Sequence, residues 1–167
     1  CVIHGIWEGT NFIQSQDYTG RKFTMKDGVP FKKWVAEIDD FVSSKKTDEF
    51  AAEFAMMTEA MTAFKNIVAM NADWTAGDKQ MKQLFATRTM HAGARVYCGK
   101  LLLDQACLAA KKLAELGQDH FDANFYNGKI ASAKFYIMNH VTDVFGFEKA
   151  MKAGDKSSID IAEASFM

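Results

Sequence analysis

Proline occurs once in 167 residues, where average usage of about 5% would give about eight. A chain this poor in proline can run long uninterrupted helices. Cysteine is scarce and odd in number: Cys1, Cys98 and Cys107. The last two sit nine apart in a helical stretch, about 13 Å along the axis at 1.5 Å per residue, so they cannot bridge. A disulfide framework is not expected, and a reducing compartment fits better. There is no CxxC and no Glu-x-x-His pair, and His4, His91, His120 and His140 lack metal-ligand spacing, so no metal site and no di-iron bundle is expected. Charge of one sign is missing too. Twenty Lys and Arg meet 21 Asp and Glu, for a net charge of −1, which gives no electrostatic footprint for nucleic acid. No apolar run approaches the roughly 18 residues of a membrane span, and no signal peptide opens the chain. A cytoplasmic location without membrane contact is therefore expected. The run Gly93-Ala-Arg-Val-Tyr-Cys-Gly99-Lys100-Leu101 superficially resembles a phosphate-binding loop. It has five residues between the glycines rather than four, and Leu follows the Lys, so it fails as a phosphate cradle.

What the chain does have is core material. Hydrophobic residues make up 49%, with 14 Phe and 10 Met, against 25% charged residues. The length suits one domain, or one domain and part of another, with about two-thirds of the unfolded surface buried on folding. The first residue is Cys1 rather than Met, so a piece of something longer is expected.

Apolar periodicity predicts an all-α fold, an antiparallel bundle of four long helices preceded by an N-terminal helical segment. A short helix is expected from about Thr10 to Thr19, capped by Thr10 or its neighbour and ended by Gly20. Phe23 to Val29 reads as a connector turning at Asp27-Gly28, and Pro30 suits a first helical turn. The first long helix carries Phe31, Trp34, Val35, Ile38, Phe41 and Val42 on one face. The second, capped by Thr47 or Asp48, has the cleanest stripe: Phe50, Phe54, Met57, Met61, Phe64, Val68 and Asn71. Gly77 closes it. Asp78 opens a third helix that runs to Leu116 on Phe85, Ala92, Val96, Gly99, Leu103, Ala106, Ala110 and Leu113. The small residues in that stripe admit a neighbouring backbone. Asp119 is expected to cap the fourth helix, where Ile130, Ile137, Val144 and Met151 recur every seven residues. Ser157 or Ser158 would cap a last short helix.

The bundle alone says nothing about chemistry; the N-terminal segment does. Ile6-Trp7-Glu8-Gly9-Thr10-Asn11-Phe12-Ile13-Gln14, then Asp17-Tyr18-Thr19-Gly20-Arg21-Lys22, closely resembles the last catalytic segment of acyl-CoA dehydrogenases, in which an aromatic residue, Glu-Gly-Thr and Ile-Gln lead into a helix. The Gly-Arg-Lys that follows is similar to a subgroup with an extra C-terminal helical region, the methylmercaptopropionyl-CoA dehydrogenase type. Phe121-Asp122-Ala123-Asn124-Phe125-Tyr126-Asn127-Gly128-Lys129-Ile130-Ala131 looks like the end of that region. The resemblance implies residues 1–28 as the end of the catalytic helical domain with its connector, and 29–167 as the appended bundle.

It also implies a reaction: FAD-dependent α,β-dehydrogenation of an acyl-CoA thioester, with reoxidation by an electron-transferring flavoprotein and a homo-oligomeric parent enzyme. Glu8 aligns with the base that removes the α-proton. A carboxylate suits that task if a desolvated pocket raises its pKa. Gly9 would let the thioester approach the backbone, and Thr10, Asn11, Phe12 and Gln14 align with residues that touch the flavin nucleotide. The 167 residues by themselves are expected to hold no FAD and to be inactive. The plainer reading of Glu8 is a carboxylate at a helix start, and of the whole, a non-catalytic helical module that packs on the parent enzyme or self-associates. Arg88, His91 and Arg95 share a helix face; a solvated row, or pairing with acids of a neighbouring helix, is favoured over phosphate binding. Trp34 and Trp74 read as core or interface anchors, Met57 and Met61 as core filling, and His120 and His140 as structural or exposed.

Overall fold

The computed structural model describes residues 9–45 and 47–166. These are helical almost throughout, in the order α1 (Asn11–Asp17), α2 (Val29–Ser44), α3 (Ala51–Ala76), α4 (Lys79–Leu116), α5 (Ala123–Tyr136), α6 (Asp143–Ala153) and α7 (Ser157–Asp160). The expected fourth long helix is the pair α5 and α6, joined by the wider helical turn Ile137–Val141. That turn keeps Ile137, Val141 and Val144 inside, all three fully buried, with Met151 below them.

The 38-residue α4 is the spine, about 57 Å long at 1.5 Å per residue. α1, α2, α3, α5 and α6 all pack on it. Its start is fixed as expected: the Asp78 carboxylate accepts from the backbone N–H groups of Gln80 and Met81, each at 3.2 Å. Lys156 pairs with the same carboxylate, and together these contacts hold it below the usual carboxylate range. α3 and α4 run antiparallel. Going up α3, Met57 and Phe64 lie near Gly99 and Gly93, and Asn71 meets Thr89, so residue numbers fall on α4 as they rise on α3.

The stripes read from the sequence are the core. Phe50, just before α3, and Phe54, Met57, Met61 and Phe64 on it are buried, as are Phe85, Ala92, Val96, Leu103 and Ala106 on α4. Gly99 marks the tightest point. A Cβ there would stand 2.7 Å from Met57 Sδ and 2.9 Å from Val141 Cγ2, so three helices converge on a position with no side chain. Trp34 closes the α2 side, its ring 5.9 Å from Phe64 and 5.6 Å from Tyr97, and Trp74 stacks on Phe85 at 5.3 Å.

Several helix ends differ from expectation. The chain does not stop at Gly20 but continues through a wide turn, Tyr18–Lys22, because Thr19 is buried and holds the helix down. α5 starts after Asp122, and His120 Nδ1 accepts the Asp122 N–H at 3.2 Å; Asp119 does not cap it. Asp155, rather than a serine, organises the start of α7, accepting from both the backbone N–H and the hydroxyl of Ser157. Thr47 precedes a short turn, Asp48–Phe50, without a side-chain capping bond.

Candidate functional site

Glu8, the expected base, lies outside the described residues. The chain from Gly9 onward is described, and its geometry is unusual. Gly9 and Thr10 both adopt left-handed backbone, at φ 74° and 58°. Two such residues in succession turn the chain sharply into α1, and for Thr10 this conformation is uncommon enough to store strain. Thr10 does not cap α1 with its side chain; its hydroxyl donates to the Gly9 carbonyl at 2.7 Å. The first helical bond of α1 runs from the Gln14 N–H to the Thr10 carbonyl at 3.1 Å.

α1 has two faces. Ser15 and Thr19, one turn apart, are buried at 0% and 2% exposure. Their hydroxyls donate back to the carbonyls of Phe12 and Ser15, and the Thr87 hydroxyl of α4 donates to Ser15 Oγ at 3.3 Å. The other face is open, with Phe12 56% and Ile13 63% exposed. Of the residues aligned with flavin contacts, Thr10, Phe12 and Gln14 are exposed and Asn11 is half-buried. None is consumed in the bundle core. They lie at the first turn of one helix beside two left-handed residues, and the side chains of Thr10, Phe12 and Gln14 face outward there. In this respect they fit a flavin nucleotide.

The remaining candidates separate cleanly. The Gly93–Lys100 run lies wholly inside α4. Lys100 pairs with Glu37 at 2.9 Å and sits over the Phe41 ring at 5.4 Å, which leaves it no part in a phosphate cradle. Arg95 pairs with Asp143 of α6 at 3.1 Å, and Arg88 covers Phe85 at 5.1 Å, so the basic row is divided among helix contacts. His140 packs against Phe135 and Tyr136. Cys98 and Cys107 are free thiols, and burial pushes that of Cys107 up. Among the described residues no cluster of His, Cys, Asp and Glu could hold a metal, and no helix is long and apolar enough to cross a membrane.

A feature the sequence did not signal is an apolar groove of about 460 Å³ between α2 and α3, with Phe31, Val35, Phe64 and Val68 on its walls. It adjoins a second groove of about 310 Å³ that reaches Thr19 and Phe23. Alanines at 36, 69 and 72 leave this space, and as neutral helix residues they gave no hint of it. Neither groove includes residues 9–14.

Residues 34–162 match the family model described as acetyl-CoA dehydrogenase C-terminal like. A butyryl-CoA dehydrogenase of Syntrophomonas wolfei is 68% identical over 167 residues, covering all of this chain and 27% of that protein. A second butyryl-CoA dehydrogenase of the same organism is 59% identical over the same span. The broad-specificity linear acyl-CoA dehydrogenase FadE5 of Mycobacterium tuberculosis is 26% identical over 171 residues, covering 98% of this chain and 28% of that protein. The chain thus spans a little over a quarter of the length of these relatives. The match over residues 34–162, which holds most of the bundle, and the identity to the C-terminal quarter of two butyryl-CoA dehydrogenases show that this chain belongs to the acetyl-CoA dehydrogenase C-terminal-like family, the C-terminal part of acyl-CoA dehydrogenases.

Proposed function

We propose that these residues serve a FAD-dependent acyl-CoA dehydrogenase, which removes a proton from the α-carbon and a hydride from the β-carbon of an acyl-CoA thioester to leave a trans-2-enoyl-CoA. The observation that carries this reading is the Glu8-Gly9-Thr10 sequence set directly before α1, in a chain 68% identical to a butyryl-CoA dehydrogenase. FAD, when bound, takes up the hydride, and an electron-transferring flavoprotein reoxidises it. The Glu8 carboxylate accepts the α-proton. Gly9, with no Cβ and a left-handed backbone, leaves room for the thioester beside the main chain. Thr10, Asn11, Phe12 and Gln14 line the flavin nucleotide from the first turn of α1. A short acyl chain is the substrate class that the names of the two butyryl-CoA dehydrogenases suggest. The division at 28/29, the cytoplasmic setting and a homo-oligomeric parent belong to the same proposal.

Anaerobic titration tests it. The complete protein should bleach the oxidised flavin band on addition of butyryl-CoA, one flavin per active site, whereas residues 1–167 alone should carry no stoichiometric flavin absorbance. A complete protein whose flavin stays oxidised under excess short- and long-chain acyl-CoA would overturn the enzyme reading.

A second reading, a packing module, has its own observation. Leu101 and Leu108 on α4 and Phe121, Phe125 and Phe135 at and along α5 are exposed, Phe121 at 85%. Apolar side chains in such number on one helical pair suit an interface. Light scattering on residues 1–167 should show self-association that rises with concentration; a strict monomer throughout would remove that version of the reading.

A further inference from the structure

The contact of α1 with α4 is where the segment bearing the proposed base meets the bundle. Tyr18 lies at its centre. Its hydroxyl is buried and has no hydrogen-bond partner among the described residues. Burial also raises its pKa well above the ordinary range, so the group stays neutral. The hydroxyl rests against Gly93 of α4. A Cβ at residue 93 would collide with it, and would stand 3.0 Å from Tyr18 Cζ and 3.5 Å from Phe64 Cε2. The ring is held on its other side by Phe23 and Phe31, with centroids at 5.0 and 6.3 Å. One turn toward the N-terminus, Ser15 meets Thr87. A buried hydroxyl that makes no bond is a cost, so the site is shaped for the ring's position rather than for a bond to the oxygen.

We propose that Tyr18 is a positioning residue and Gly93 its seat. Together they set how closely α1 approaches α4, and with it the Gly9-Thr10 backbone, the residues that directly follow Glu8 in the sequence. The inference rests on the reading of Glu8 as base. Its mechanical consequence is that the family-matched bundle aligns the catalytic segment; it does not merely trail behind it. Ser15 and Thr19 on either side of Tyr18 are both buried, so the segment is seated on the bundle through this face.

The test uses the complete flavin-loaded enzyme. Gly93→Ala should lower kcat by about tenfold to a hundredfold, the range a displacement of about 1 Å can produce. KM for acyl-CoA and flavin content should stay within about twofold of wild type, because substrate and cofactor binding are not the interactions removed. Adding Tyr18→Phe to Gly93→Ala deletes the atom the new Cβ meets and should restore most of the lost kcat. An unchanged kcat in Gly93→Ala overturns the proposal. So does a loss that only tracks missing flavin or a lowered melting temperature and is not recovered in the double variant. Where Gly93→Ala yields no folded holoenzyme, Thr87→Val probes the same seam at matched volume. It should lower kcat about threefold at unchanged KM, and a wild-type kcat there overturns the proposal. Glu8→Gln, assayed alongside, separates the two readings. Turnover kept in Glu8→Gln overturns the base assignment, whereas turnover lost there but kept in Gly93→Ala overturns the seat alone.

Discussion

Glu8→Gln in the complete enzyme is expected to lower kcat by about 10²–10⁴, the contribution a positioned general base makes. The substitution keeps the length and nearly the volume of the side chain and removes the group that accepts the proton. Flavin content and acyl-CoA binding should therefore persist while turnover falls. The decisive measurement separates the two bond cleavages. In the wild type, the α-proton of a non-oxidisable thioester should exchange with solvent deuterium, which NMR follows directly. In Glu8→Gln that exchange should disappear together with flavin reduction. Gly9 beside it tests the same arrangement from the backbone. Its φ of 74° is a conformation that L side chains rarely adopt, so any side chain there is strained before it meets substrate. A Glu8→Gln enzyme that loses less than about threefold in kcat would leave the segment as a helix entry with no part in proton transfer.

Phe64→Ala should be the most damaging single change to the bundle, at about 3–5 kcal/mol, the usual cost of emptying a buried aromatic site. Phe64 is fully buried where α2, α3 and α4 meet. Trp34 and Phe31 stand edge-on to its ring at 5.9 and 6.5 Å, and Gly93 lies against it from α4. These neighbours are large or fixed by other contacts, so the cavity cannot collapse. With a urea slope of about 2 kcal/mol/M, the unfolding midpoint of residues 1–167 should fall by about 2 M. Phe125→Ala is the matched control. Phe125 is 60% exposed, and its removal should change stability by no more than about 0.5 kcal/mol. Equal shifts for the two variants would mean that the junction of the three helices is not the centre of the core.

The bundle could be read from sequence because its signal is repetitive. Seven positions from Phe50 along α3 and eight on α4 repeat the same inward spacing, and a misread residue does not disturb the pattern. The Asp78 cap was legible for a related reason: one acid stands between a glycine and a long apolar stripe. Caps were lost where polar residues cluster. Asp119, His120 and Asp122 all lie near the start of α5, and which of them organises the turn depends on how the chain enters from Gly117. Gly20 looked like a stop because glycine commonly ends helices, but Thr19 is buried against the bundle, and that burial carries the helix past it. The Tyr18–Gly93 contact was beyond reach. Each residue is ordinary in its own neighbourhood, and only the approach of two helices far apart in sequence gives the pair a meaning. The candidate site was recognised through a family resemblance, and the bundle's periodicity contributed nothing to it.

The seam between Ser15 and Thr87 also imposes a schedule. The partners are separated by 72 positions, and Gly93 is made later still. At a synthesis rate of about 5–20 residues per second, the segment around α1 leaves the ribosome roughly 4–14 s before the first residue it docks on exists. Through that interval Ser15 lacks its Thr87 partner and the Tyr18 hydroxyl lacks Gly93, while the Tyr18 ring can already meet Phe23 and Phe31. The α1 segment is thus anchored by polypeptide made after it, and premature termination anywhere before α4 would leave it without the Ser15–Thr87 and Tyr18–Gly93 contacts.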